Sequence, residues 1–494
     1  MALRKEFKNS CLLTDRQGRI AEYGRISAMN ADEIRRRFLE CAKEHGHTVI
    51  PRAKLVPEDD QTTLFTGSGM QPLLKYLLGE PHPLGTRLAD SQTCVRAQDI
   101  DEVGDNRHTT FFEMLGNWSL GDYFKRDQIT WFFNFLVDEV GLDPHRLYVT
   151  CFAGDPENGI PRDDEAAQIW QELFQSKGIE AKLADIGSEA QGGQRGIKPG
   201  ERIFFYDGSK NWWSRNGGPS TTPMGDPCGP DSEVFYAFEH VDHDPAYGDK
   251  CHPNCDCGHY MEIGNQVFTQ YVRTPEGFKK LPKQNVDFGG GLERIAAAAI
   301  DSPDVFRTSL FMPIITKLEQ LSGRKYDEEK QAMRVIADHL RAATFLAVDG
   351  VKPSNKQQGY VMRRLIRRAI RFALELGVEQ NFMEEIVPVV AGIYRADFPE
   401  VEAGHDEVVA VLVKEEKAFR RTLAKGLREF DKMSADGLTG SEVFKLYDTY
   451  GFPIELSVEE ATKRRLRIAN TWQADYNELM NRQRQLSQAA GRKF

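Results

Sequence analysis

Two short stretches of this 494-residue chain carry residue types suited to gripping phosphate. The first is TCVRAQDIDEVGDNRHTTFFEMLGNWSLGDYFK, from Thr93 to Lys125. A strand carrying Arg96 leads into an acidic, glycine-containing turn, and a second strand carries His108, Phe112 and Met114. Alternate strand residues share a face, so His108, Thr110, Phe112 and Met114 should project together. An arginine facing a ring across a hairpin can hold a nucleotide: the guanidinium grips a phosphate while the ring stacks on the base. Taken alone, the same pair also fits a surface arginine beside a core aromatic. The second stretch is Asp287 to Arg294, DFGGGLER. Three glycines let the backbone approach a ligand closely. The LERIAAAAI that follows has the pattern of a packed helix and puts Arg294 forward as a second phosphate ligand, although a glycine run also fits a plain flexible turn.

Two further clusters carry chemistry. In DKCHPNCDCGH (249–259), Cys251, Cys255 and Cys257 with His259 could complete a tetrahedral zinc site. The spacing C-x3-C-x-C-x-H is not a common paired CxxC arrangement, and a reduced cysteine-rich turn is the other open reading. Such a zinc would be structural, because four protein ligands leave no open position. In YVMRRLIRRAIRFALELG, Met362, Leu365, Ile366, Ala369, Ile370 and Ala373 form an apolar stripe. Arg363, Arg364, Arg367, Arg368 and Arg371 cover much of the remaining surface. A charge run usually pairs with nearby acids, but no Asp or Glu interrupts this one, which favours phosphate contact.

The elements that must position these residues fall into three parts. Residues 1–28 form a polar extension. Asn30, with Glu33 three residues later, has the form of a capping box opening a helix. Over 29–305, β-rich runs such as TTLFTG, RLYVTCF, RIFFYD, SEVFYAF and QVFTQYV alternate with turns and with helical patterns such as DEAAQIWQELFQSKG, giving an α+β domain with a mainly antiparallel sheet and a Cys-rich insert at 240–260. From 306 to 494 the period is helical almost throughout, and Ser457 with Glu460 forms a further capping box. Hydrophobic residues make up 40% of the chain and charged residues 28%, with a formal net charge of −10. An acidic total does not exclude nucleic acid, since phosphate binding depends on where the cations cluster. No apolar stretch is long enough to span a membrane, the N-terminus lacks the apolar core of a signal peptide, and eight cysteines in so long a chain suit reduced thiols, so a cytoplasmic protein is expected.

LFTGSGMQ, CVRA, FFEMLGNWSLGDYFK, VDFGGGLERIAAA, RVIADHLR, GYVMRRLIRRA and LYDTYGFP occur in this order from about residue 30 onward. Together they resemble the alanyl-tRNA synthetases, with the hairpin arginine and GGGLER resembling motifs 2 and 3 of class II aminoacyl-tRNA synthetases. The resemblance implies an antiparallel sheet flanked by helices, then an all-α tRNA-recognition domain. It implies ATP and Mg2+, with L-alanine and tRNA(Ala) as partners. Arg96 would hold the α-phosphate and the alanine carboxylate, and Arg294 the γ-phosphate. Phe112 would stack on adenine with His108 near the triphosphate, and Met114 and Gly291 complete the ATP set. Trp213, Asn265 and Val267 would line the alanine pocket, Asp287 would take the ammonium, and Gly289 would leave room for a small side chain only. Asn355 and Asp448 would read a G·U pair in the acceptor stem, with Arg364, Arg367 and Arg368 on the tRNA.

The sequence also departs from that family. The acidic loop AQDIDEVGDN is short and lacks a lysine found in familiar bacterial members. Gly264 stands where many members carry tryptophan, so the back of the pocket should be looser, and Ala237 stands where an aspartate is common. Neither an editing HxxxH/CxxxH pair nor an oligomerisation domain is found, so a catalytic fragment or a minimal enzyme, monomeric and served by a separate editing protein, is expected. A non-catalytic RNA-binding paralogue and an adenylate former that loads another acceptor are the competing readings. Retention of Arg96, Trp213, Asn265, Asp287, Gly289 and Arg294 together favours the ligase.

Overall fold

In a computed structural model of the chain, the structure describes residues 13–14, 20–21, 28–58 and 63–491, so most of the expected 1–28 extension lies outside the described residues. The first long helix, α1 (Ala31–Glu44), begins where the capping box places it. The Asn30 side chain accepts from the Glu33 N–H, and the Glu33 carboxylate accepts from the Asn30 N–H. These contacts satisfy two of the N–H groups that a helix start leaves without partners. Ala31, Ile34, Phe38 and Ala42 form its buried face.

The main sheet has ten strands: β1 (Thr48–Val49), β2 (Arg87–Val95), β3 (Phe111–Leu120), β4 (Leu147–Phe152), β5 (Lys182–Gly187), β6 (Glu201–Tyr206), β7 (Trp212–Trp213), β8 (Pro227–Ala237), β9 (Tyr260–Thr274) and β10 (Gly277–Gly291). Their order is β1-β2-β3-β10-β9-β8-β4-β6-β5, with β7 beside β8. The middle is antiparallel, but the pairs β1–β2, β4–β6 and β5–β6 are parallel, so the sheet is mixed. RLYVTCF and RIFFYD are near-continuous apolar runs because β4 and β6 bury both faces, as parallel strands usually do. TTLFTG is not a strand: its described residues from Thr63 form a loop. Thr66 N–H bonds the Leu55 carbonyl and Val95 N–H bonds the Thr66 carbonyl, but the glycines that follow end the run before a ladder forms.

The helical half contains α2 (Lys330–Val348), α3 (Gln357–Glu375), α4 (His405–Met433), α5 (Gly440–Tyr450), α6 (Ile454–Lys463) and α7 (Trp472–Gly491). The Ser457 capping box does not exist. Pro453 already starts α6, and Ser457 is buried inside it with its hydroxyl donating to the Pro453 carbonyl. The capping box in this region is Thr439 with Glu442, at the head of α5. No helix among the described residues is long and apolar enough to cross a membrane.

By packing, the chain divides into two compact units: residues 1–50, 74–91 and 115–308, and residues 51–73, 92–114 and 309–494. Two segments that precede residue 306, 51–73 and 92–114, pack with the helical half. Inside that second unit, α2 anchors the hairpin. Asp338 is fully buried and accepts from the Thr110 N–H at 2.9 Å and from His339 Nδ1 at 2.9 Å. Arg341 donates to the Phe111 carbonyl at 2.7 Å, with its guanidinium 4.9 Å and 4.2 Å from the Phe111 and Phe311 ring centres. Removing one member of a buried charged network strands the others, at about 3–5 kcal/mol. Asp338→Ala should lose about that much in a denaturant titration. A loss below about 1 kcal/mol would show that the network does not hold the hairpin.

Candidate active site

The face of the sheet in the first unit gathers most of the sequence-derived alanine set. Asp287 lies opposite Val267 and Asn265 opposite Gly289 across β9 and β10. On the other side of β9, Asp231 lies opposite Val267 and Glu233 opposite Asn265. Directly opposed residues project to one face, so these six positions form two adjacent cross-strand rows. Trp118, fully buried on β3, donates its indole N–H to Asp287 at 2.8 Å. A side chain at Gly116 would collide with the Trp118 ring, so the glycine makes room for this donor. Burial pushes the Asp287 carboxyl up to about 6 against the pull of that bond. Trp213 is on β7, opposite Gly229 of β8.

The acids on this face are what the sequence reading missed. Asp231 and Glu233 are both raised by burial, and neighbouring Glu262 raises them further. Asn211 joins them: its Nδ2 donates to Asp231 Oδ1 at 3.0 Å and to Thr150 Oγ1 at 2.8 Å, and Thr150 donates to Glu233 at 2.9 Å. The alternation in Asp231-Ser-Glu233 was the available signal, since two acids at i and i+2 of a strand share a face. Arg294, in the first turn of the helix Leu292–Ala299, bonds the Glu262 carbonyl at 3.1 Å and its carboxylate at 3.2 Å. Gly264 does not leave a loose pocket back: the Phe132 ring lies 2.6 Å, and the Phe288 ring 3.2 Å, from where its Cβ would stand, so aromatic rings from elsewhere fill the space.

In the second unit, the hairpin forms around Arg96 N–H bonding the Thr110 carbonyl at 2.9 Å. The Arg96 guanidinium sits 4.8 Å from the Phe112 ring centre, its Nε donating to the Gly67 carbonyl at 3.2 Å. Met114 sulfur receives the Gly69 N–H at 3.2 Å, so the LFTGSGMQ stretch wraps this hairpin. His108 is not on the strand, which starts at Phe111. Asp105 instead holds it in a turn, bonding its Nδ1 at 2.6 Å and accepting its backbone N–H. The Asp105 bond raises the His108 imidazole. Burial opposes ionisation of Asp105, but the bonds from His108 and Arg107 outweigh it and bring the carboxyl to about 2.

The same unit holds a cavity of about 720 Å³ lined in part by Asn355, Tyr360, Arg364, Arg367, Tyr447 and Met480. The arginines of α3 do have acidic partners, most of them supplied from distant segments, with Glu375 of the same helix on Arg371. Arg364 meets Asp101 at 2.7 Å, Arg367 meets Glu415 at 2.9 Å, and Arg371 meets Glu459 and Glu460. Arg364 and Arg367 keep 24% of their side-chain surface exposed. Arg368 is buried, bonded to the Ile100 carbonyl and to His339, and burial lowers its guanidinium from the usual value. Arg364 and Arg367 keep exposed surface on this cavity, whereas Arg368, which also lines it, is mostly buried. Arg363 holds the Asn355 side chain. Asp448 accepts from Gln483 of α7.

In the Cys-rich insert, His243 joins Cys251, Cys255 and Cys257, all four ligand atoms lying within 4.8 Å of one another. His259, the expected fourth member, is instead turned to the Val241 carbonyl at 2.6 Å. Sequence proximity pointed to the wrong histidine because the 240–260 loop folds back on itself. The Cys257 thiol is lowered to about 7: burial opposes this, and the His243 bond outweighs it.

A family model described as tRNA synthetases class II (A) matches residues 33–494. The chain belongs to the class II tRNA synthetases. An alanine–tRNA ligase from Treponema pallidum (strain Nichols) is 41% identical over 455 residues, covering 89% of this chain and 69% of the relative. The alanine–tRNA ligase of Geobacillus thermodenitrificans (strain NG80-2) is 40% identical over 483 residues, 94% of this chain and 50% of its own length. Within the class, the chain belongs to the alanine–tRNA ligase family. Apo histidyl-tRNA synthetase of S. aureus superposes on 55% of this chain and 65% of its own with a TM-score of 0.30 and 10% identity.

Proposed function

We propose that this chain activates L-alanine with ATP and transfers the alanyl group to the 3′ end of tRNA(Ala). The observation that carries the reading is the pair of rows on the sheet face, where Asp287, Asn265, Val267 and Gly289 stand together. A carboxylate and an amide suit an ammonium, Val267 offers an apolar wall for a methyl group, and Gly289 leaves space for nothing much larger. The alanine carboxylate attacks the α-phosphorus and pyrophosphate leaves. The tRNA terminal hydroxyl then attacks the adenylate carbonyl and AMP leaves. Positioning and charge neutralisation supply most of such catalysis. Arg96 would take the α-phosphate with Phe112 under the adenine, His108 and Met114 beside it, and Gly291 and Arg294 at the γ-phosphate end. Mg2+ neutralises phosphate charge when bound, and Glu262 beside Arg294 offers the oxygen donor it prefers.

Arg364 and Arg367, with Tyr360 and Tyr447 exposed on the same cavity, suit an RNA backbone with an unstacked base. Asn355 and Asp448 would read the G·U pair, the amide both donating and accepting and the carboxylate only accepting. The test is alanine-dependent ATP–pyrophosphate exchange, followed by charging of tRNA carrying the G·U pair or its Watson–Crick replacement. No exchange with alanine, glycine or serine would leave an RNA-binding paralogue. Charging indifferent to the wobble would remove the roles of Asn355 and Asp448. Glycine and serine should both support some exchange, since one methyl or hydroxyl is worth only about 1–3 kcal/mol in such a pocket.

His243 and the three cysteines would hold a structural zinc, its four ligands leaving no open position. Purified protein should carry about one zinc per chain. Cys255→Ser should release the metal and lower the melting temperature, while a metal-free protein of unchanged stability would remove the site.

A further inference from the structure

The arginines of α3 that keep exposed surface on the cavity of the second unit each have an acid against them, and these acids are held with different firmness. Glu415, 10% exposed, lies between Arg363 and Arg367 at 3.2 Å and 2.9 Å. Asp101 is 66% exposed, and its only ion pair among the described residues is with Arg364. The grip is end-on. Arg364 Nη2 alone donates to Asp101 Oδ1 at 2.7 Å and to Oδ2 at 2.8 Å, so the paired fork that makes an arginine–carboxylate contact strong is not formed. An ion pair this open to water adds little to stability. The segment Ala97–Asp101 is pinned one residue earlier, by the buried Ile100 side chain and by Arg368, which donates to the Ile100 carbonyl. The fold therefore has little need of the Asp101 carboxylate, and none of the chemistry assigned above uses it.

We infer that Asp101 is an internal stand-in for an RNA phosphate: it occupies Arg364 in the free protein, and a backbone phosphate replaces it when RNA enters the cavity. A phosphate can accept from two guanidinium nitrogens at once, which the end-on carboxylate does not do. The displaced carboxylate returns to water, as its exposure already allows. Glu415 has no comparable route, being mostly buried and shared by two arginines. Asp101 thus opposes RNA binding. The free energy of breaking its pair is subtracted from the affinity of any RNA that takes Arg364, which eases release of the charged product. The role rests on the tRNA-charging function proposed above.

The test is the Kd of fluorescently labelled tRNA(Ala) for the full chain, read by anisotropy in a double-mutant cycle. Asp101→Asn removes the charge and keeps the shape, and it should tighten the Kd about two- to fivefold, the range that a partly exposed ion pair sets. Arg364→Gln should weaken binding about tenfold, the loss of one hydrogen-bonded contact to a charged group. Beside Arg364→Gln, Asp101→Asn should have no effect, because no cation is left to compete for. A general repulsion between Asp101 and RNA predicts the same tightening in both backgrounds. A purely structural role predicts weaker binding in Asp101→Asn, together with lost ATP–pyrophosphate exchange. Equal tightening in both backgrounds, an unchanged Kd, or weaker binding in Asp101→Asn would each overturn the inference. The native chain serves as the control: no tRNA binding by it refutes the proposed tRNA partner itself, whereas native binding with an insensitive Asp101 refutes only this role.

Discussion

Arg294→Ala should reduce alanine-dependent ATP–pyrophosphate exchange about 10²–10³-fold, the usual cost of removing a fixed donor from a developing charge. The arginine holds its present carboxylate partner only weakly. Its side chain is 36% exposed, and its carboxylate partner is Glu262, itself 35% exposed, at 3.2 Å. An ion pair so open to water contributes about 0–1 kcal/mol, so little stability depends on it. The guanidinium can therefore leave Glu262 for a phosphate at small cost, and the helix Leu292–Ala299 fixes where it starts. The measurement is exchange rate together with melting temperature. A large fall in melting temperature with the activity loss would mark Arg294 as structural.

Asp287→Asn should raise the alanine KM about 10–100-fold with a smaller change in kcat, because the ammonium loses its charge partner while the Trp118 donor keeps an oxygen to bond. The same residue predicts a pH dependence. Burial raises the carboxyl to about 6, so it is ionised above that value and gains a proton as pH falls through it. The ammonium stays charged over this range, so alanine affinity should fall below about pH 6 in the native chain. In the Asn variant the dependence should vanish. A KM that is unchanged in the variant, or flat with pH in the native chain, would remove Asp287 from the ammonium site.

Features carried by local pattern were legible in the sequence. The Asn30 capping box, the helices from 330 onward and the hairpin that sets Arg96 over Phe112 follow from short-range periodicity and capping chemistry. Asp287 and Gly289 were found from an ordered set of short strings, and the strand register sets them opposite Val267 and Asn265.

What depended on distant segments was not legible. No acid interrupts the α3 arginines, and apart from Glu375, one turn beyond Arg371, their partners Asp101, Glu415, Glu459 and Glu460 reach them from segments far along the chain. His243 displaced His259 from the cysteines because loop closure, not spacing, decides which imidazole arrives. Phe132 fills the space at Gly264, reversing the expectation of a loose pocket. Asp231 shares a face with Val267 and Asp287 only because β8 and β9 pair in one register, and a slip of one residue would send it to the opposite face. The amino-acid sequence by itself determined the helices, the hairpin that sets Arg96 over Phe112 and the family to which the chain belongs. The tertiary structure alone decided which charges are free to meet a ligand, since that depends on partners brought together by packing and not by position in the chain.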